Sequence, residues 1–144
     1  MAFNLPPVVK LAERLAADIE EAVTRFARRH RYTFGARLRD SAWAVLKTAD
    51  AAARRPAERP QLLQLLRDAM DELKAIMQLG QRLRQFASFA QFEALMRIAH
   101  DLGRQIGAWH RQFHPQGQNA AAQAPRQRAK TLSTHAASMC EANP

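Results

Sequence analysis

The groups in this sequence best placed to do chemistry are its cations, and above all its arginines. Basic residues number 22 against 13 acidic ones, a net charge of +9, and all but four of the basic residues are Arg. A guanidinium presents a planar fork of donors that matches phosphate oxygens, which an ammonium does not. The cations are also unevenly spread. Between Arg25 and Arg59 stand Arg25, Arg28, Arg29, Arg31, Arg37, Arg39, Lys47, Arg54, Arg55 and Arg59, against Asp40, Asp50 and Glu58 alone. The densest part, Arg25 to Arg39, interleaves Tyr32 and Phe34. Cations mixed with rings suit phosphates and unstacked bases. The same two rings would equally serve to close a helical core beneath solvated arginines. A second pattern places Arg97, His100, Arg104, Arg111 and His114 at spacings of three, four, seven and three, one stripe of a helix. A solvated face normally alternates both signs, and this spacing reads as a stripe of one sign. The positions expected to meet a polyanion are therefore Arg25, Arg28, Arg29, Arg31, Arg37, Arg39, Lys47, Arg54, Arg55, Arg97, Arg104 and Arg111.

Catalytic and metal chemistry find little support. The sequence has no Gly-rich phosphate loop, no zinc-type Cys/His spacing and no Glu-x-x-His pair of the kind di-iron bundles use. His110 and His114 stand four apart and could share a helix face as metal ligands do, but no third ligand lies nearby in sequence. At a helix end the same two residues would complement the dipole. No catalytic residue, metal or cofactor is expected. A single cysteine, Cys140, excludes an internal disulfide and suits a reducing compartment.

Four segments position these side chains. Glycine is scarce, β-branched residues are few, and Ala, Leu, Gln, Glu and Arg dominate, the types that lose least entropy in a helix. The first helix opens at Pro6-Pro7 and repeats Val8, Leu11, Leu15, Ile19, Val23 and Phe26. Thr33 is the expected cap of a second, carrying Phe34, Leu38, Ala42, Val45, Ala49 and Ala52 up to the Pro56–Pro60 linker. A third is expected to centre on Leu62, Leu66, Ala69, Leu73, Ile76, Gly80 and Leu83, with Leu63, Met70 and Met77 beside them. The fourth, capped by Ser88, runs through Phe92, Leu95, Ala99, Leu102, Ile106, Trp109 and Phe113. Gly103 and Gly107 inside it each cost about 1 kcal/mol relative to Ala, which suggests close packing.

Long helices joined by short links must be antiparallel neighbours. The fold class expected is all-α, an antiparallel up-down-up-down four-helix bundle over residues 1–114. Residues 115–144 read as a disordered polar tail with a basic cluster at Arg126, Arg128 and Lys130. The start of the chain lacks a basic n-region and an apolar segment, and no stretch approaches a membrane span, so a cytoplasmic protein without membrane attachment is expected.

Three stretches resemble a known family: Arg28-Arg-His-Arg-Tyr-Thr-Phe-Gly-Ala-Arg-Leu38, Asp71-Glu-Leu-Lys-Ala-Ile-Met-Gln-Leu79, and Phe92-Glu-Ala-Leu95 continuing into Asp101-Leu-Gly-Arg-Gln-Ile-Gly-Ala-Trp109. Together they are similar to the accessory variability determinant proteins of diversity-generating retroelements. The pattern Gly103-Arg-x-x-Gly107-x-Trp109 carries most of the likeness. It covers roughly residues 5–113 and leaves the tail outside. A weaker likeness extends to the helical-bundle proteins encoded in intervening sequences of bacterial ribosomal RNA genes. The resemblance implies a four-helix bundle that assembles into a basic homopentamer. It also implies that the protein binds a reverse transcriptase and its template RNA, supports mutagenic cDNA synthesis and leaves catalysis to the polymerase. Beside this stand two other readings of the residues: a scaffold whose basic surface binds an acidic protein, and a metal or ligand bundle using His110 and His114.

Overall fold

The computed structural model describes residues 6–114. The tail expected over 115–144, with Arg126, Arg128, Lys130 and Cys140, lies outside the described residues. By contacts the chain divides into two units, Met1–His110 and Arg111–Pro144. Among the described residues all regular structure is helical. There are four long helices, one single turn and one 3-10 turn.

Helix α1 (Pro7–Thr24) starts where Pro6 and Pro7 supply helix-compatible φ and lack N–H groups that would be orphaned there. It ends as the Arg25 amide donates to the Ala22 carbonyl and the Phe26 amide to the Val23 carbonyl. A single turn, α2 (Arg28–Arg31), follows. Helix α3 (Phe34–Arg54) stops before Pro56, which opens the 3-10 turn Pro56–Glu58. Helix α4 (Arg59–Arg82) carries Pro60 in its first turn, and α5 spans Phe89–Phe113.

Ser88 caps α5 as expected. Its hydroxyl accepts from the Gln91 amide at 3.0 Å, while the Gln91 side chain accepts from the Ala87 amide at 2.8 Å. Thr33 holds the corresponding place before α3 but does not cap it. Its hydroxyl donates backwards to the Arg29 carbonyl at 3.1 Å, closing α2 instead.

Helix α4 ends in a Schellman motif. The Gln85 amide donates to the Gly80 carbonyl at 3.1 Å and the Arg84 amide to the Gln81 carbonyl at 3.0 Å. The left-handed position of that motif usually holds Gly. Here it holds Arg84, at φ 55°, the one non-glycine with positive φ among the described residues.

The core forms where the four apolar stripes meet. Helix α1 contributes Leu15, Ile19 and Val23 with Ala12, Ala16 and Ala22, and α3 contributes Leu38, Ala42, Val45, Ala49 and Ala52. Helix α5 adds Leu95, Ala99, Leu102 and Ile106. The α4 stripe is turned from its expected direction. Leu63, Leu66, Met70, Leu73 and Met77 are buried, Leu62, Ala69 and Ile76 lie half-buried at its edge, and Leu83 is exposed. Leu65 and Leu79 on the same helix face solvent, 58% and 48% exposed.

Cross-helix contacts pair the start of one helix with the end of another. Val9 and Glu13 of α1 line a groove with Leu46, Asp50 and Arg54 of α3. Gly80 near the end of α4 meets Phe34 at the start of α3, and Gln64 near the start of α4 meets His110 near the end of α5. A ladder of rings closes one end of the core: Phe34 stacks on Phe26 (5.9 Å), Phe26 meets Phe86 edge-on (5.6 Å), and Phe86 meets Phe92 (5.5 Å).

Candidate nucleic-acid interface

That ring ladder decides which arginines become neighbours. It draws the α1–α3 connection, residues 25–33, against the α4–α5 connection, residues 83–88. A direct bond fastens the two connections, as the Ala27 amide donates to Gln85 Oε1 at 3.1 Å. One end of the molecule therefore collects Arg25, Arg28, Arg29, Arg31 and Arg37 from one side of the ladder and Arg82 and Arg84 from the other. All but Arg31 are exposed. None of the seven lies within ion-pair distance of a carboxylate among the described residues. Arg82 and Arg84 were not among the expected contacts, because more than fifty positions separate them from Arg28 and only the Phe26–Phe86 contact brings the two together.

Several expected members behave differently. Arg31 is half-buried and donates from Nη2 to the Phe26 carbonyl at 3.3 Å, so part of its fork closes the end of α1. Arg39 leaves the surface field. Its Nε sits 2.9 Å from Glu20 Oε2 across the α1–α3 seam, an ion pair at a distance where the angles do not make a hydrogen bond. Lys47 is exposed halfway along α3, while Arg54 and Arg55 stand at the far end of that helix from the ring ladder. Arg54 Nε donates to both carboxylate oxygens of Asp50 at 2.9 Å, and Arg55 pairs with Glu58 at 3.5 Å.

The α5 stripe is not one of unpaired cations. Arg97 donates to Glu93 at 3.1 Å and Arg104 to Asp101 at 2.8 Å, so this face alternates in sign along its length. Arg111 is exposed. Exposed pairs of this kind are worth roughly 0–1 kcal/mol each, but they cancel much of the local field. The concentrated, unpaired charge is at the end, not along the helix.

Arg59 is structural. Its guanidinium donates to the Ala52 and Ala53 carbonyls at 2.7 and 3.0 Å, satisfying the last turn of α3, and lies 5.8 Å from the centre of the Trp109 ring.

The histidine pair does not converge on a metal site. His110 is 7% exposed, and its Nδ1 lies 3.4 Å from Arg67 Nη1 and its Nε2 2.9 Å from Gln64 Oε1. A guanidinium only donates, so Nδ1 accepts and the ring proton sits on Nε2, aimed at Gln64. Both ring nitrogens are therefore occupied by protein partners. Among the described residues no group of three or more His, Cys, Asp or Glu side chains could hold a metal ion.

Of the two glycines of the likeness, Gly103 has a local explanation. A Cβ at Gly103 would lie 2.6 Å from Lys74 Nζ, so the missing side chain lets the Lys74 stem lie across α5. Gly103 and Gly107 line a small cleft there with Arg67, Asp71 and Lys74.

No helix among the described residues is long and apolar enough to cross a membrane. No protein-family model matches this chain, and none of the curated proteins matches it.

Proposed function

We propose that this protein is a non-catalytic accessory protein of a diversity-generating retroelement, an antiparallel up-down-up-down four-helix bundle that binds template RNA and the reverse transcriptase and so supports mutagenic cDNA synthesis in the cytoplasm. The observation that carries the RNA-binding part is the arginine-rich end. Seven guanidinium groups gather there, five from the two connections and one each from the first turn of α3 and the last turn of α4, with no carboxylate partner among the described residues. Like charges gathered without counter-ions destabilise the fold that holds them, so their concentration at one end supports a polyanion as the missing counter-charge. The retroelement assignment rests on the sequence likeness over residues 5–113.

Phosphate contacts of this kind release counterions and leave a steep salt dependence, each neutralised phosphate adding about 0.7–0.9 to the log–log slope. The test is a filter-binding titration of the full chain with RNA across a salt series. Steep loss of affinity supports the reading, and a flat response refutes it. Co-purification with the reverse transcriptase encoded nearest the gene tests the partner, and failure to co-purify at low salt refutes that part.

A homopentamer belongs to the same proposal. The exposed Leu65 and Leu79 on α4, with Leu83 just beyond its end, are apolar surface along one edge that supports self-association. Mass measurement by light scattering reads the number directly. The same edge favours the second reading, a basic scaffold for a protein partner or an rRNA-intervening-sequence-type protein. Binding of an acidic protein that RNA does not displace would favour that reading.

A further inference from the structure

Two large rings stand uncovered at the arginine-rich end. Tyr32, between Arg31 and α3, is 71% exposed, and Phe89, at the first position of α5, is 63% exposed. Their neighbours in the ring ladder, Phe26 and Phe86, are buried, so the core is already closed without them. Phe89 is nonetheless held in place, its ring 6.1 Å from that of Phe92 and tilted by 46°. Phe34, the other ring read with Tyr32 from the sequence, is half-buried and stacks on Phe26, so it belongs to the core.

Resting on the RNA-binding reading above, we infer that this end takes unpaired nucleotides: Tyr32 and Phe89 stack on exposed bases while Arg25, Arg28, Arg29, Arg82 and Arg84 hold the flanking phosphates. The chemistry follows from what a duplex offers. In paired RNA the base faces are already stacked, and the cations alone would serve. Two open rings among unpaired guanidiniums add nothing to duplex binding but fit a single strand, whose bases have free faces. Two other aromatic rings are exposed among the described residues, and they make the contrast. Phe113 is only 38% exposed. Trp43, 51% exposed midway along α3, stands one helical turn from Arg39, whose charge Glu20 already meets, and one turn from a lone lysine, Lys47, instead of a guanidinium cluster.

The ring–base contacts are sequence-tolerant, since every base has a π face. The selectivity expected is for strandedness, not for sequence. Arg84 reinforces the assignment. It keeps a full side chain in a left-handed conformation that Gly would fill without strain, and its guanidinium makes no bond to another side chain among the described residues.

The experiment is fluorescence anisotropy with the full chain, an unstructured oligoribonucleotide carrying one 2-aminopurine, and the duplex of the same strand. Tyr32→Leu and Phe89→Leu each remove a ring from an exposed position and leave the core intact. Each is expected to weaken single-strand binding about tenfold, to leave duplex binding within twofold, and to relieve the 2-aminopurine quenching that stacking causes. Both variants binding the single strand like the parent, or the parent binding duplex equally well, overturns the inference and leaves the RNA-binding reading standing. Binding to neither RNA form overturns both. A vesicle arm with anionic phospholipid completes the test, because rings beside arginines also suit a membrane surface. Ring-dependent sedimentation with vesicles, without preference for the single strand, overturns the inference in favour of lipid.

Discussion

Replacing Arg84 by Gly should stabilise the fold and weaken the interface together. Arg84 occupies the left-handed position of the motif that ends α4, at φ 55°. A residue with a Cβ costs about 1–2 kcal/mol there. Glycine removes that strain but gives the unfolded chain more freedom, worth about 0.4–1 kcal/mol in the opposite direction. The net gain is about 0.5–1 kcal/mol, which for a domain of this size raises Tm by about 2–6 °C. The two backbone bonds of the motif, Gln85 to Gly80 and Arg84 to Gln81, survive because glycine keeps its amide. On the RNA side one cation is lost, so the log–log salt slope should fall by about 0.7–0.9. Differential scanning calorimetry and a salt-series titration on the same preparation read both effects. A lower Tm would show that packing, not strain, governs position 84. A higher Tm with an unchanged salt slope would remove the functional reason for an arginine at that place.

Two glycines of α4 and α5 should respond in opposite senses. Gly103→Ala meets only the mobile tip of Lys74 and should raise stability by about 1 kcal/mol, whereas a Cβ at Gly80 would press on Phe86 at 2.9 Å and Phe34 at 3.0 Å and should lower it, both measurable by urea denaturation. Ser88→Ala removes the hydroxyl that receives the Gln91 amide and should cost about 1 kcal/mol, read by the same transition midpoint. Leu66→Ala opens a cavity in a fully buried position and should cost about 2–5 kcal/mol. Charge reversal at Arg28 and Arg29, both exposed and unpaired, should abolish most RNA affinity while the far-ultraviolet circular dichroism stays helical.

The helices were legible because their apolar residues recur at three and four. On α3 this marked Leu38, Ala42, Val45, Ala49 and Ala52, all of which are buried. On α4 it pointed too far to one side, through Leu62, Ile76 and Leu83. Apolar residues make up nearly half of that helix, and periodicity alone does not say which part of a wide stripe faces inward. The caps teach a similar lesson. Ser88 has Gln91 three residues on and forms a reciprocal cap, while Thr33 has Ala36 at that distance and spends its hydroxyl on α2. The pairing of Arg97 with Glu93 and of Arg104 with Asp101 could have been read from spacings of four and three. The pairing of Arg39 with Glu20 could not, nor could the arrival of Arg82 and Arg84 beside Arg28, since both depend on which helix lies next to which.

The Gln85 side chain has one last consequence. By accepting from the Ala27 amide and donating to the Leu83 carbonyl at 2.8 Å, it ties two crossovers that are far apart in the chain. Loosening of either would release both, so slow exchange at a single amide, that of Ala27, would report on whether the whole cationic tip is fastened or open. Occupancy of the tip by a ligand would then be visible as a change in one proton's lifetime, at a position the ligand need never touch.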